Sequence, residues 1–297
     1  MTVPLLENTC VTSLSPVLDT ATRLEHRGCN LAYDVRGTGA PVLLIQGAGV
    51  HGSGWQPQVD GLQDRYRCLS FDNRGIGRSQ PLGSRLTIEQ MTDDALALMD
   101  AQGWESAHVV GHSMGGPIAL QMAFSAPARV KSLSLLCTFA RGADVTSPSA
   151  WMVWMALRTR CGTSRMRRLA FLEMVMPTAV LARTDRDALA ATLAAVFGHD
   201  LADQPPVVMK QLSAMRNFDA SSRLHELAGI PTLVVSAKWD RIARPALGRA
   251  LAQAIPGARY LEIDEAAHGV TIQCDLAIND LLAAHFAEAA ASARATL

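Results

Sequence analysis

An excess of charge of either sign is missing from this sequence. Twenty-seven Lys and Arg residues balance twenty-seven Asp and Glu, so the formal net charge is zero. That removes the global electrostatic case for a nucleic-acid or anionic-membrane partner and leaves small neutral molecules as the expected ones. Paired cysteines are missing too. The six (Cys10, Cys29, Cys68, Cys137, Cys161, Cys274) form no C-x-x-C and no metal-ligand spacing, so buried free thiols are expected and a metal site is not. No window of about 18 uninterrupted apolar residues suggests a membrane span. The opening MTVPLLENTCVTSLSP has no basic stretch followed by a long apolar one, which points to a cytoplasmic protein. There is no internal repeat, and no low-complexity tract beyond an alanine-rich C-terminus.

What is present is a chain of 297 residues, 49% hydrophobic and 18% charged, enough for one large core in one domain carrying an insertion. After a loose N-terminus, Leu31, Tyr33 and Val35 alternate with more polar neighbours, the pattern of a half-buried strand at a sheet edge, ended by Gly37-Thr38-Gly39. Short apolar runs follow at Val42–Ile45, Cys68–Phe71, His108–Val110, Val130–Cys137, Thr232–Val235 and Tyr260–Ile263. Such runs suit strands covered on both faces. Helical periodicity lies between them. Thr87 and Gln90 predict a capping box before a helix to Met99, with further helices over Gly115–Ala126, Pro245–Ile255 and Thr271–Ala293. The alternation predicts an α/β fold with a mostly parallel central sheet flanked by helices.

Residues 141–223 break the rhythm. WMVWMAL, LAFLEMVM and ALAATLAAVF are helical and apolar, and Pro205-Pro206 divides the segment. It reads as an inserted helical unit between two core segments, 1–140 and 224–297.

Glycines in PVLLIQGAGVHG (Gly47, Gly49, Gly52) fit G-x-G-x-x-G, and Asp72 lies about 20 residues on, as a dinucleotide fingerprint requires. That fingerprint should open a helix at once. Here the glycines continue to Gly54 and Pro57 places the helix start later, so no nicotinamide or flavin is expected.

A second glycine motif has its required context. Gly111-His112-Ser113-Met114-Gly115 follows a strand run and precedes a helix, the setting in which G-x-S-x-G projects a serine from a tight turn. The helix N-terminus beneath it offers N–H groups where an oxyanion would develop. Asp240 ends the run PTLVVSAKWD and His268 lies just past the next strand, in DEAAHGV. Ser113, Asp240 and His268 thus each sit at a strand's carboxyl end, in the order of nucleophile, acid and base. Asp264 and Glu265 follow the last strand too closely to serve easily as the acid, and Asp144 would need the less common position after Cys137.

On these motifs, together with FDNRGIGRS at Phe71–Ser79, the chain resembles serine hydrolases of the α/β-hydrolase fold, carboxylesterase-like and with a helical cap. The resemblance covers Leu31 to Phe286. It implies no cofactor, a buried turn held by Asp72 and Arg74, and an oxyanion hole from the Ala48 and Met114 N–H groups. Gln46 stands where that family usually has histidine, and Gln273 near where relatives often have a carboxylate. His112 is expected to pack rather than react. Gln46, His51, Trp151, Trp154 and Trp239 are candidate pocket residues, with Trp239 equally placed to cover the sheet; Met155, Met174 and Met176 are expected in the insertion's core. The basic stretch Arg158, Arg160, Arg165, Arg167 and Arg168 reads as a solvated face. The expected activity is cleavage of a hydrophobic small-molecule ester. Lactone opening and carbon–carbon hydrolysis share the same machinery, and a ligand-binding relative with slow turnover is the alternative from another class.

Overall fold

The computed structural model describes residues 22–295 except Ser84 and Pro148. Cys10 and the expected loose start therefore lie largely outside the described residues. Eight strands form one sheet: β1 (Thr22–His26), β2 (Cys29–Arg36), β3 (Ala40–Ile45), β4 (Tyr66–Phe71), β5 (Ala107–His112), β6 (Val130–Leu136), β7 (Thr232–Ala237) and β8 (Arg259–Ile263), in the order β1-β2-β4-β3-β5-β6-β7-β8. From β4 through β8 the pairing is parallel; β1 and β2 run antiparallel to their neighbours.

The sheet alternates between two cores. Leu43 and Ile45 of β3 face one apolar cluster while Val42 and Leu44 face the other, and β7 divides likewise between Val234 and the pair Leu233 and Val235. Both faces are roofed by helices. Helices α1 (Gln56–Leu62) and α12 (Asp275–Ala295) supply Val59, Leu62, Ile278, Leu282 and Phe286 to one side. Helices α2 (Ile88–Ala101), α3 (Gly115–Ser125) and α10 (Pro245–Ala254) cover the other. This two-sided burial is why the strands read as unbroken apolar runs.

Three local expectations need correction. The strand carrying Leu31 and Val35 is not at the edge, because β1 pairs along it in a hairpin turned by Arg27 and Gly28 at φ 48° and 74°. At the start of α2, the Thr87 hydroxyl accepts the Gln90 N–H at 3.1 Å, but the Gln90 side chain turns forward to Asp94 (3.2 Å), so the reciprocal half of the box goes to a different partner. The C-terminal helix is split: a short α11 (Val270–Gln273) stops at Cys274 before α12 begins.

Among the described residues between β6 and β7 lie six α-helices, α4 (Ala143–Thr146), α5 (Ala150–Arg158), α6 (Ser164–Val175), α7 (Thr178–Leu181), α8 (Arg186–Phe197) and α9 (Val208–Arg216). Helices α6 to α8 enclose a small core of their own around Leu172, Leu193 and Phe197, joined by Ile272 of α11. At the neck, Arg141 bridges Asp219, the Gly142 N–H donates to Phe218 O (3.0 Å), and the Ala220 N–H donates to Ala140 O (3.0 Å). Four of the five arginines of the basic stretch are ion-paired rather than merely solvated. Arg158 meets Glu173, Arg165 meets Asp187 at 2.8 Å, Arg167 meets Asp203 at 3.6 Å, and Arg168 meets Asp200. No helix among the described residues is long and apolar enough to cross a membrane.

Candidate active site

Strand β5 delivers Ser113 on a turn that only small neighbours permit. A Cβ on Gly111 would strike the Gly115 backbone, and one on Gly115 would strike the backbone of Ile45. Ser113 itself is held at φ 52°, a left-handed conformation unusual for a residue with a side chain. Both its N–H and its carbonyl are engaged. Its N–H donates to Leu136 O (3.0 Å), and the Thr138 hydroxyl donates to Ser113 O (2.7 Å).

Strands β7 and β8 bring the other two predicted residues alongside. The Ser113 hydroxyl lies 3.0 Å from His268 Nε2, and His268 Nδ1 lies 2.7 Å from Asp240 Oδ2. A carboxylate can only accept, so Nδ1 carries the ring proton, leaving Nε2 free to accept from the serine. The other carboxylate oxygen of Asp240 takes the N–H groups of Ile242 (2.8 Å) and Ala243 (2.9 Å). All three residues are buried. The rival acids lie elsewhere: Asp264 pairs with Lys238 at 3.0 Å, and Asp144 lies in the first turn of α4.

The loop after β3 closes against the elbow. A Cβ on Gly47 would lie 3.1 Å from that of Ser113, so Ala48 follows directly on the point of contact, while Met114 opens the turn into α3. Gln46 is buried, at 2% exposed. Its Oε1 accepts the Gly47 N–H (2.9 Å) and lies 3.2 Å from His112 Nδ1, while its carbonyl accepts from Asn73 Nδ2 (3.0 Å). His112 is buried; burial and the neighbouring His268 hold its pKa down to about 3. Its Nε2–H donates to the His268 carbonyl at 2.9 Å, a support for His268 that no motif announces. Cys137, at φ 45°, is a second left-handed residue at this end of the sheet. Burial and the Asp240 carboxylate push its thiol well above the ordinary value.

The inserted helices reach this end through several bonds. The Gly269 N–H donates to Val175 O (2.8 Å), the His51 N–H to Phe197 O (3.3 Å), and the Gly49 N–H to Gln211 Oε1 (2.9 Å). Other expected pocket residues need correction. Trp154 and Trp239 are 56% and 58% exposed, so neither is a wall of an enclosed pocket. His51 is wedged between Gly77 and Gly198 with the His199 ring 6.0 Å away, a packing role in which burial lowers its pKa. Trp151 stacks under the Arg241 guanidinium at 4.3 Å, beside the acid's own loop. Met155 and Met176 are buried and Met174 partly so, as expected.

Asp72 and Arg74 hold the turn that FDNRGIGRS predicts. The Asp72 carboxylate accepts the N–H groups of Gly52 (2.8 Å) and Arg78 (2.9 Å), and Arg74 grips Asp94 through two bonds of 2.8 and 2.6 Å. Gln273, where relatives often carry a carboxylate, instead ties the base's loop: its Oε1 accepts the Ala267 N–H (3.2 Å) and its Nε2 donates to Glu265 O (2.6 Å).

A serine–histidine–aspartate chain at the strand ends of a mostly parallel sheet is the arrangement of an α/β hydrolase. The family model described as alpha/beta hydrolase fold matches residues 40–273, and the chain belongs to that family. A protein of Azorhizobium caulinodans, RutD, provisionally assigned as a carbamate hydrolase, is 31% identical over 254 residues, 85% of this chain and 93% of its own. Among solved structures, the enol-lactonase of Burkholderia xenovorans LB400 is 30% identical with a TM-score of 0.76, covering 90% of this chain and all (100%) of that one. The meta-cleavage product hydrolase CumD of Pseudomonas fluorescens IP01, at 23% identity and a TM-score of 0.74 over 90% of this chain and 98% of its own, shares the fold.

Proposed function

We propose that this chain is a cofactor-independent serine hydrolase that cleaves hydrophobic small-molecule carboxylic esters through an acyl-enzyme. The observation that carries the reading is the continuous chain from Ser113 Oγ through His268 to Asp240, at 3.0 and 2.7 Å. In it, His268 Nε2 takes the hydroxyl proton as Ser113 Oγ attacks the carbonyl carbon, and Asp240 stabilises the imidazolium. The N–H groups of Ala48 and Met114 take the developing oxyanion. His268 then returns the proton to the departing alcohol, and water repeats the sequence to release the acid and free Ser113. Residues 141–223 act as a cap over the serine, and their apolar composition favours hydrophobic substrates.

A cyclic ester is the second reading, favoured by the full-length likeness to an enol-lactonase at 30% identity. The likeness to RutD adds carbamates to the acyl groups to be screened. The test is Ser113→Ala against p-nitrophenyl esters and a lactone panel. Loss of at least about a thousandfold in kcat is expected. Turnover within a few-fold of the unaltered enzyme would end the proposal.

A further inference from the structure

Among the described residues of the inserted helices, Gln211 has a buried polar atom with nothing to bind. Gln211, in the middle of α9, is 0% exposed. Its Oε1 accepts the N–H of Gly49 at 2.9 Å. A backbone N–H can only donate, so the carboxamide has a single satisfactory orientation, and its NH2 group is turned away from Gly49. That Nε2 is buried and has no hydrogen-bond partner. An amide donor removed from water without an acceptor is costly, and native interiors retain such groups mainly where something else completes them.

The position of this donor gives it meaning. Gly49 belongs to the loop that carries Gly47 and Ala48, and Gly47 abuts Ser113. Helix α9 is seated on that loop by more than the one bond, because Val208 packs on Gly49 and Val207 packs on Gly75 of the neighbouring turn. The unpaired N–H group therefore belongs to the helix that is seated on the loop bordering Ser113. Among the other buried groups without a partner, Trp55 Nε1 lies in the core cluster under α1 and α12, Trp104 Nε1 in the opposite cluster, and Arg129 Nε and Arg167 Nε belong to guanidiniums already paired with Asp100 and Asp203.

Resting on the hydrolase reading above, we propose that Gln211 selects the substrate by donating its free N–H to an acceptor oxygen other than that of the bond being cleaved. The preferred substrates are then esters or lactones whose acyl or alcohol part carries a second, neutral acceptor, such as a keto or amide oxygen. Gln211 acts in recognition and transfers no proton. A site built around a hydrogen bond discriminates strongly against the analogue that lacks it, because the protein group is left unpaired.

The test compares p-nitrophenyl alkanoates of four to eight carbons with their 3-, 4- and 5-oxo counterparts. The unaltered enzyme is expected to favour at least one oxo ester over its parent by about tenfold or more in kcat/KM. Gln211→Glu keeps an oxygen for the Gly49 N–H while removing the amide donor, and should bring that ratio to within about twofold. Gln211→Leu should abolish the ratio as well and also slow both esters, since the Gly49 N–H loses its acceptor. If Q211E fails to fold, Q211L carries the same comparison of ratios. The proposal is overturned if the unaltered enzyme favours no oxo ester, as when water alone occupies the donor, or if the preference survives in the folded variants. Ser113→Ala separates the two levels. Turnover by S113A at the unaltered rate removes the hydrolase reading itself, whereas an inactive S113A with an unchanged oxo preference in Q211E removes only the role of Gln211.

Discussion

Replacing Asp240 by Asn tests the orienting acid with almost no change of shape. One oxygen of Asp240 is held by two backbone N–H donors, from Ile242 and Ala243 at 2.8 and 2.9 Å, and these would repel an amide NH2. The asparagine carbonyl must therefore keep that position, which turns its NH2 toward His268 Nδ1, 2.7 Å from the present oxygen. A donor there forces the imidazole proton onto Nε2. The ring then offers an N–H to Ser113 and cannot accept its proton. The expected loss in kcat is about 10³ to 10⁴, or about 4–5.5 kcal/mol of transition-state stabilisation, with KM little changed. Steady-state kinetics on one p-nitrophenyl ester, with a melting curve to show that the variant is folded, is sufficient. A folded D240N within about tenfold of the unaltered enzyme would refute this placement of the acid and return attention to Asp144.

Two further outcomes concern stability. Burial holds His108 down to about 4 and His112 down to about 3, both below the ordinary 6.5. Between those limits the unfolded chain binds protons that the folded one does not, so stability falls as pH drops through about 6.5. At about pH 5 the two histidines together should remove about 4 kcal/mol relative to about pH 8, read from urea midpoints, and His108→Gln should flatten the slope by about one proton; equal slopes would contradict the assignment. Arg74→Ala leaves the buried Asp94 without its bidentate partner and should cost about 3–5 kcal/mol, much of it recovered in Arg74→Leu with Asp94→Leu. A single variant unfolding at the same urea concentration as the unaltered chain would show the pair to be dispensable.

Ser113, Asp240 and His268 are legible in the sequence because each comes shortly after an apolar strand run, so local order alone puts them at the carboxyl ends of strands. Strand β1 is not legible: in TRLEH only Leu24 is apolar, and what keeps the segment in place is its ladder to β2 and the Arg74 side chain reaching the carbonyls of His26 and Arg27. Trp154 and Trp239 mislead for the opposite reason. Size and apolarity suggest a pocket wall, but which face of an inserted helix or loop turns inward is decided by packing between distant segments. Gln211 is invisible by the same logic, since its meaning comes from a bond to Gly49, 162 positions away in sequence. Even His112, inside the motif itself, reveals its support of His268 only when β5 and the loop after β8 are seen together.

The neck of the insertion has an evolutionary consequence. Strands β6 and β7 are hydrogen-bonded neighbours, and the pairing of Arg141 with Asp219 fastens the chain where it leaves and where it returns. Anything strung between those points is a closed excursion whose entropic penalty grows only with the logarithm of its length. Duplication, deletion or drift can then rewrite the helices from Ala143 to Arg216 while the sheet, and the three side chains on its strand ends, keep their registration. New chemistry would have to be invented at the sheet, but new tastes can be acquired at the excursion.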